Sequence, residues 1–564
     1  MAEQETAADP ILAPSSSPSA LSVRTTKPGT KRLLVTLSIL LSGLVFLPIF
    51  YKSTEIYRSP LPFSSISFLS SHLHSLRPPI PTLLHVLFLR SHPIDSTDSH
   101  RISDLITLDL QSRTKSQVSV SISAHSGEGL ESLDLSDDEA MDAFLLGMVD
   151  ASVYTVVVVE RAVKGNAKVV VGKHRHAWVV GLVEDSEVAR VIAGVFWKYF
   201  VNGGREDGEM VGGEEGDALP VGSDGSLVLS FSLLNADPSD GVYDWNIQKA
   251  DRVLAPILES LAPIANITVE SQVLYHAPKS SISNWDDSLR GYALSTSALP
   301  FFVNSNEWHL DTSIAAPGRS KVLQFVVYVP SATEWPLVLQ FPNGETSQTN
   351  SFVSPMWGGV VVWNPPESSR NVQKPHFGKH IISTEDLQKI FQVFVGQLRV
   401  LFGLRSNNLD DAEIGVTKFL ATPKGFTAWE LDVLHRRHTY LNLLSCASTL
   451  DSLSKLVKSL PRMIIMDEIG KQVKLSVEVA SLAQNYVSHK IYNASAVSSR
   501  NARALAEDAF YHPSIMSISY SSFEHTIAIY MPFFVPVSLQ VLIAAKKELT
   551  RYKRERAKYL ASIA

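Results

Sequence analysis

Two long uncharged apolar runs, one near each end of the chain, constrain everything that lies between them. Leu33 to Tyr51 (LLVTLSILLSGLVFLPIFY) and Ile527 to Ala545 (IAIYMPFFVPVSLQVLIAA) contain no Asp, Glu, Lys or Arg. At about 1.5 Å of rise per residue, a run of about 19 residues covers roughly 28 Å, close to the hydrocarbon thickness of a bilayer. Transmembrane helices are therefore expected at 33–51 and 527–545, with the roughly 475 residues between them on one side of the membrane.

The flanks give the orientation. Lys546, Lys547, Arg551, Lys553, Arg554, Arg556 and Lys558 follow the second run, and no Lys or Arg lies in 512–526 before it, which places the C-terminus in the cytosol. Arg24, Lys27, Lys31 and Arg32 precede the first run against Lys52 and Arg58 after it, a weaker bias of the same sense. The first run is expected to be retained as an anchor, because it sits behind a Ser/Pro/Ala-rich tail and leads into YKSTEIYRSP without a small-x-small cleavage site. Both termini are then cytosolic and the centre is luminal. The sequons Asn266-Ile-Thr268 and Asn493-Ala-Ser495 fall in that centre, which makes Asn266 and Asn493 the candidate glycosylation sites.

The net charge is −6, and since the two tails carry about +1 and +5 the stretch between them is near −12, which argues against a nucleic-acid partner. One cysteine, Cys446, rules out an intrachain disulfide; several hundred residues can bury an adequate core without one. Its setting, LNLLSCASTLDSL, is an apolar helix, so a buried inert thiol is expected.

Before residue 383 helices and strands alternate. Ser136-Asp-Asp-Glu139 reads as a capping box opening a helix, and YTVVVVE (Tyr154 to Glu160), Lys168 to Val171 and Ala177 to Val183 read as strands. A helix starting at Asp185-Ser186 carries Val188, Val191, Ile192, Val195, Phe196 and Tyr199 on one face. A strand from Ser226 to Leu234, a helix from about Trp245 to Ala265 and a strand from Ile267 to Tyr275 continue the pattern. Strands at Val322 to Val329, Leu337 to Phe341 and Val360 to Trp363 come without intervening helices, so antiparallel pairing is expected there.

From Ser383 the chain turns helical. Ser383 and Thr427 are N-cap candidates, Leu387, Ile390, Phe391, Phe394, Leu398 and Leu401 form a stripe, and helices are expected at about Thr427 to Ser445, Ala447 to Leu460 and Glu468 to Ala509. The Gly-rich acidic insertion Gly203 to Asp217 and residues 1 to about 26 are expected to be disordered. The fold class is thus α/β (mixed-sheet) with a helical C-terminal half, flanked by one transmembrane helix at each end. Its segments are a cytosolic disordered tail (1–32), the first span (33–51), a luminal α/β region (52–382), a luminal mainly helical region (383–526), the second span (527–545) and a basic cytosolic tail (546–564).

Chemistry is sparse. His174 and His176 would share one strand face and His435 and His438 one helix face, but no Cys pair, HExxH or acidic cluster completes a metal set, and Arg175, Arg436 and Arg437 would repel a cation. Polar faces of ordinary elements are the expectation for all four. No GxSxG elbow, phosphate loop or GxGxxG follows a strand. No catalytic residue, metal ligand or cofactor site is assigned. Pro532 and Pro536 are expected to bend or break the second span, and its Ser538 and Gln540 to need neighbouring helices. The basic tail, beyond setting topology, offers charge to membrane lipid headgroups.

Four segments carry a resemblance: EIYRSPLPFSSI (Glu55 to Ile66), NEWHLDTSIA (Asn306 to Ala315), SPMWGGVVVWNP (Ser354 to Pro365) and HPSIMSISYSSFEHTIAIYMPFFVPV (His512 to Val537). In their order and topology the chain resembles the PIG-S family, non-catalytic subunits of the GPI transamidase of the endoplasmic reticulum. The acidic insertion departs from that pattern. The resemblance implies a scaffold in a complex that removes a C-terminal propeptide and transfers the new carbonyl to the ethanolamine of a GPI lipid. It places the Cys/His dyad on a caspase-like partner, PIG-K, and implies PIG-T, PIG-U and a Gaa-type subunit as further partners. Two other readings stay open at this point. One is a stand-alone luminal glycan- or lipid-modifying enzyme using Asp286, Asp287 and Glu307; the other is a luminal ligand receptor.

Overall fold

Runs such as YTVVVV and KVLQFVVYV are apolar at most positions, which suits strands covered on both faces, and they are interior strands of two sheets. The computed structural model describes residues 26–53, 57–75, 79–90, 96–114, 117–126, 136–159, 168–181, 184–205, 221–304, 307–310, 319–366, 379–404, 409–411, 415–460, 463–516, 523–561 and 563. The N-terminal tail up to residue 25 and positions 206–217 of the acidic insertion, both expected to be disordered, lie outside the described residues.

In chain order the strands are β1 (Leu83–Arg90), β2 (Ser119–Ser126), β3 (Tyr154–Val159), β4 (Lys168–Val171), β5 (His176–Val180), β6 (Ser226–Asn235), β7 (Val242–Asp244), β8 (Asn266–Leu274), β9 (Asn284–Asp286), β10 (Gly291–Ser295), β11 (Lys321–Val329), β12 (Leu337–Gln340), β13 (Ser351–Ser354), β14 (Gly358–Val362), β15 (Lys379–Ile381), β16 (Leu409–Asp411) and β17 (Gly415–Phe419). The helices are α1 (Lys31–Ser53), α2 (Phe63–Ser75), α3 (Ser96–Arg113), α4 (Asp138–Leu146), α5 (Asp185–Val195), α6 (Asp251–Leu261), α7 (Thr384–Leu401), α8 (Ala428–Ser459), α9 (Asp467–Ser488), α10 (Tyr492–Phe510), α11 (Pro513–Met516) and α12 (Phe523–Ala561).

Seven strands form the first sheet in the order β16-β17-β4-β5-β3-β1-β2, parallel except for the β4–β5 and β16–β17 pairs. A strand from the helix-rich half, β17, therefore completes a sheet begun before residue 90. The second sheet runs β13-β14-β11-β6-β8 and is parallel except at β13–β14. Antiparallel pairing enters as expected, at β13–β14 in this sheet and at β9–β10 in the three-stranded one, although β11 and β14 themselves are parallel neighbours. Only the segment between them decides this, and it carries no helix that would announce a crossover.

Strand alternation divides the apolar residues among layers. Leu84, Val86 and Phe88 of β1 join a core with α3, α5, α6, α7 and one face of the second sheet, while Leu87 and Leu89 face α4 on the other side. The far face of the second sheet, through Val326, Tyr328 and Val360, packs on the three-stranded β12-β10-β9 sheet with Phe302 and Trp308.

Local signals were mostly in register, with four shifts. The cap of α4 is Asp137, accepting from the amides of Glu139 and Ala140 at 3.1 and 3.2 Å, not Ser136. The helix expected at 245–265 contracts to a 3-10 turn followed by α6. The helices expected on either side of Ser445 are one, α8, because the Ser-Cys-Ala run keeps helical geometry where neighbours press close. The helix expected at 468–509 is broken: Lys490 takes φ 62°, the Ile491 amide donates to Tyr486 O (2.9 Å) and the Lys490 amide to Val487 O (3.0 Å). That is a Schellman stop, built here without the usual glycine. Beyond it α10 folds back on α9 through Ala480, Ala483, Ala496, Ala502 and Ala506, small residues that let the two backbones approach.

The chain divides into two units. One holds Pro60–Leu456 and Asp467–His512. The other holds Met1–Ser59, Val457–Met466 and Pro513–Ala564, and in it α1 lies against α12, while the Arg58 guanidinium donates to Val457 O at 2.8 Å and the Ser59 amide to Ile465 O at 3.0 Å.

Candidate functional site

The densest buried chemistry lies where the first turns of α8 meet the β4–β5 hairpin. Ala428 N donates to Lys173 O (2.9 Å) and the Trp429 indole to Gly172 O (3.1 Å), which fixes the helix start on the turn. Glu430, fully buried, reaches back to accept from the amide and hydroxyl of Thr427, both at 2.8 Å, and pairs with Arg399 of α7. This is half of a capping box in which the same carboxylate also closes an ion pair. Two residues on, Asp432 accepts a fork from Arg175 (Nη2 to Oδ1 2.9 Å) and the Tyr154 hydroxyl (2.8 Å). Asp432 in turn holds Arg175 firmly charged, and burial pushes the Tyr154 phenol up. Arg436, one turn further, donates to Phe200 O at 2.5 Å and lies between the rings of Tyr154 and Tyr492, 6.0 and 5.6 Å from their centroids.

A second pair of carboxylates reaches the same sheet from α4, Asp142 at the β4–β5 turn and Asp138 at the start of β4. Asp142 accepts from His176 Nε2 (2.9 Å) and the Lys173 amide (3.0 Å); burial works to raise its pKa, but these donors outweigh it and the carboxyl lies below the ordinary range. Asp138 behaves alike: burial raises it, and Lys168 (2.8 Å) and Lys418 (2.5 Å) bring it down. Asp150, Asp237 and Asp286 are lowered too, each by hydrogen bonds from a neighbouring serine. Asp138 and Asp142, held ionised by these donors, suit anchoring of α4 to the sheet; a general acid needs the opposite shift.

The histidines noted in the sequence fall differently from expectation. His174 lies in the β4–β5 turn and His176 opens β5, so they do not share a strand face; their rings stand 5.9 Å apart. His435 and His438 are not on a polar face of α8 but buried, at 6% and 2% exposure, and burial brings them down to about 4 and about 3. Among the described residues no group of three or more His, Cys, Asp or Glu is placed to hold a metal ion.

Cys446 sits at the crossing of α8, α9 and α10. Its Sγ lies 3.3 Å from Ser476 Oγ and 3.5 Å from Ala502 O, and Ser476 donates to that same carbonyl at 2.7 Å. The thiol is fully buried and burial pushes it up to about 11, leaving almost no thiolate at neutral pH. Cys446→Ala should therefore lower stability by only about 1 kcal/mol, since Ser476 keeps its own acceptor, and denaturant unfolding of the two proteins compares them directly.

Asp286, Asp287 and Glu307 are not brought together as an acid–base set. Asp286 folds the β9–β10 turn by accepting from the Ser288 amide (2.8 Å) and hydroxyl (2.5 Å), and Asp287 accepts from the Trp285 indole at 2.8 Å. Glu307 is exposed in a separate turn, and its neighbour Trp308 is a core residue donating to Pro278 O at 3.0 Å.

In the terminal unit, Ile527–Ala561 is long and apolar enough to cross a membrane. Pro532 and Pro536 do not break it: α12 is continuous through both, and Ser538 donates to Val535 O (3.1 Å) inside its own helix, so its hydroxyl needs no neighbour. α1 is a 23-residue helix whose Leu34, Leu41 and Leu44 are more than half exposed. Both sequon asparagines are exposed. Asn266 begins β8, an edge strand of the second sheet; Asn493 lies in the first turn of α10, where the Ser495 hydroxyl is buried and donates to Ala483 O at 2.9 Å.

The ion pairs to Asp432 and Glu430 were not legible in the sequence. Thr427-x-x-Glu430 announced the cap, but the partners, Arg399 and Arg175, stand 31 and 257 residues away.

A family profile described as "PIG-S: Phosphatidylinositol-glycan biosynthesis class S protein" matches residues 37–555. The chain is similar to proteins named "GPI-anchor transamidase component PIGS" from Mus musculus, 28% identical over 531 residues (89% of this chain, 92% of the relative), and from Homo sapiens, 27% identical over 529 residues with the same coverage. It is also similar to the "GPI transamidase component PIG-S homolog" of Schizosaccharomyces pombe, 28% identical over 327 residues, covering 58% of this chain and 54% of that protein.

Proposed function

This chain belongs to the PIG-S family, and we propose that it is a component of the GPI transamidase that supports GPI attachment without performing the bond exchange itself. The reading that it is non-catalytic rests on Cys446. Transamidation through a thioacyl-enzyme needs an accessible thiolate beside a base, and the one cysteine of this chain is a neutral thiol enclosed by three helices. The nucleophile then belongs to a partner chain of the PIG-K type, and PIG-T, PIG-U and a Gaa-type subunit complete the proposed assembly. The buried ion pairs along α8 support this reading, since they hold the body in one shape.

The proposed setting is the endoplasmic reticulum membrane, with α1 and α12 crossing it, both termini cytosolic and residues 52–526 in the lumen. Asn266 and Asn493 are exposed in that body and are the proposed glycosylation sites. Protease added to intact microsomes should trim only short tails, and Asn266→Gln and Asn493→Gln should each raise electrophoretic mobility by one glycan step. Digestion of the central region under those conditions would refute the topology. The assembly is tested by purifying the tagged full-length chain in mild detergent: stoichiometric transamidase components are expected, and recovery of the chain alone would contradict the proposal.

A further inference from the structure

The two sequons are held in opposite ways by the elements they fall in. Asn266 and Thr268 lie two apart on β8, so their side chains share one face of a strand at the edge of the second sheet, and both are exposed. Asn493 and Ser495 lie two apart on α10, where each residue turns the helix by about 100° and the two side chains therefore point about 200° apart. Asn493 is exposed to solvent. Ser495 is 0% exposed, and its hydroxyl donates to Ala483 O of α9 at 2.9 Å.

That hydroxyl is released only if α10 lifts off α9. Ala480, Ala483, Ala496, Ala502 and Ala506 are buried in the seam, which leaves no slack for a local twist of the first turn, and the Ser495 amide is itself engaged, donating to Ile491 O at 3.1 Å. Further along α10, Arg503 donates to Asn442 Oδ1 (3.3 Å), Glu507 accepts from the Thr449 hydroxyl (3.2 Å) and Ala502 O accepts from Ser476 (2.7 Å). All of these partners precede α10 in the chain. The surface that receives α10 is therefore already made when α10 emerges.

We propose that Asn493 takes a glycan only before α10 docks on α9, so that modification and docking compete for one short interval of synthesis. The inference rests on the luminal placement proposed for residues 52–526. In the transfer, Asn493 Nδ2 bonds to the anomeric carbon of a lipid-diphosphate-linked oligosaccharide as the bond from that carbon to the diphosphate oxygen breaks, and the amide proton passes to the departing diphosphate. The acceptor is defined by the asparagine amide together with the hydroxyl two residues on, and docking turns the first outward while sealing the second inward. Ala506 lies 13 residues after Asn493, and at about 5–20 residues per second its emergence takes roughly 1–3 s. Helix formation needs on the order of a microsecond, so the pace of synthesis sets the interval. A glycan already on Asn493 points to solvent and leaves docking intact.

The test uses the full-length chain in cells, with Asn266→Gln so that Asn493 is the remaining sequon, and a reversible inhibitor of glycan transfer. The chain is made and folded under the inhibitor, synthesis is stopped, and the inhibitor is removed. Asn493 should then gain about tenfold less glycan, read as a mobility step, than in the same chain with Ala483→Leu, whose side chain has no room in the seam and holds α10 away. Lys490→Gly, which suits the φ of 62° at that turn and keeps the fold, should stay as closed as the parent. Made without inhibitor, Lys490→Gly should carry a smaller modified fraction than the parent, since its hairpin closes with less of α10 emerged. Late gain of glycan by the parent or by Lys490→Gly at the level of Ala483→Leu, or no late gain by Ala483→Leu, would overturn the proposal. Asn493→Gln chains made without inhibitor separate this from topology: an unmodified Asn266 would refute the luminal placement itself, and the inference with it, whereas a modified Asn266 beside any of those late results refutes the competition alone.

Discussion

Glu430→Ala will lower the stability of the unit formed by Pro60–Leu456 and Asp467–His512 by about 3–5 kcal/mol, a large fraction of what a folded domain commonly has. Glu430 is fully buried and one carboxylate does two jobs, closing the ion pair with Arg399 and capping α8 at Thr427. Its removal leaves the Arg399 cation, only 19% exposed, without its carboxylate, and uncaps the helix that carries Asp432, Arg436 and Cys446. Glu430→Gln retains an acceptor for the Thr427 amide and should fall between the two. Midpoints in urea, with the yield of folded protein, measure the series; a Glu430→Ala protein within about 1 kcal/mol of the parent would show that α8 is held by packing alone.

Acidification should weaken the same region, on the order of 4 kcal/mol between pH 7.5 and pH 5. Burial keeps His435 and His438 neutral in the folded chain, bringing them from 6.5 to about 4 and about 3. Asp432 partly offsets this at His435, while Arg437 and Arg503 add to it at His438. Below pH 6.5 the unfolded chain takes up a proton on each ring and the folded chain does not until near pH 4. The unfolded state therefore binds more protons across that window, and stability falls as pH falls through it. The carboxylates lowered in the fold, Asp138 and Asp142, stay ionised in this window and do not oppose the trend. His438→Leu, beside Phe402, should remove about half of the loss at pH 5. Equal midpoints at pH 7.5 and pH 5, or the same pH dependence in His438→Leu, would contradict the assignment.

The parts of this fold that the sequence announced are those decided within one turn or one strand. The Leu387 to Leu398 stripe, the Ser383 cap of α7 and the β-branched runs of β3 and β11 all appear where local pattern put them. What pattern did not convey was set by residues far apart in the chain. The parallel pairing of β11 with β14, the return of β17 to the first sheet and the clamp between Arg175 and Asp432 are examples. His435 and His438 look polar one residue at a time and are buried because α8 is enclosed along much of its length; Lys490 halts α9 although its residue type predicts continuation. The inert setting of Cys446 could be read from its apolar neighbours, whereas its contact with Ser476 and Ala502 could not.

The central claim, a transamidase component that does not itself carry the nucleophile, is tested most directly by the Cys446→Ala chain in cells that lack their own copy. Surface display of a GPI-anchored reporter is the readout, with co-purification of the other components as the control for assembly. Cys446→Ala is expected to restore the reporter to the level given by the unaltered chain. Normal assembly with no reporter at the surface would mean that this thiol takes part in the transfer, and would contradict the account.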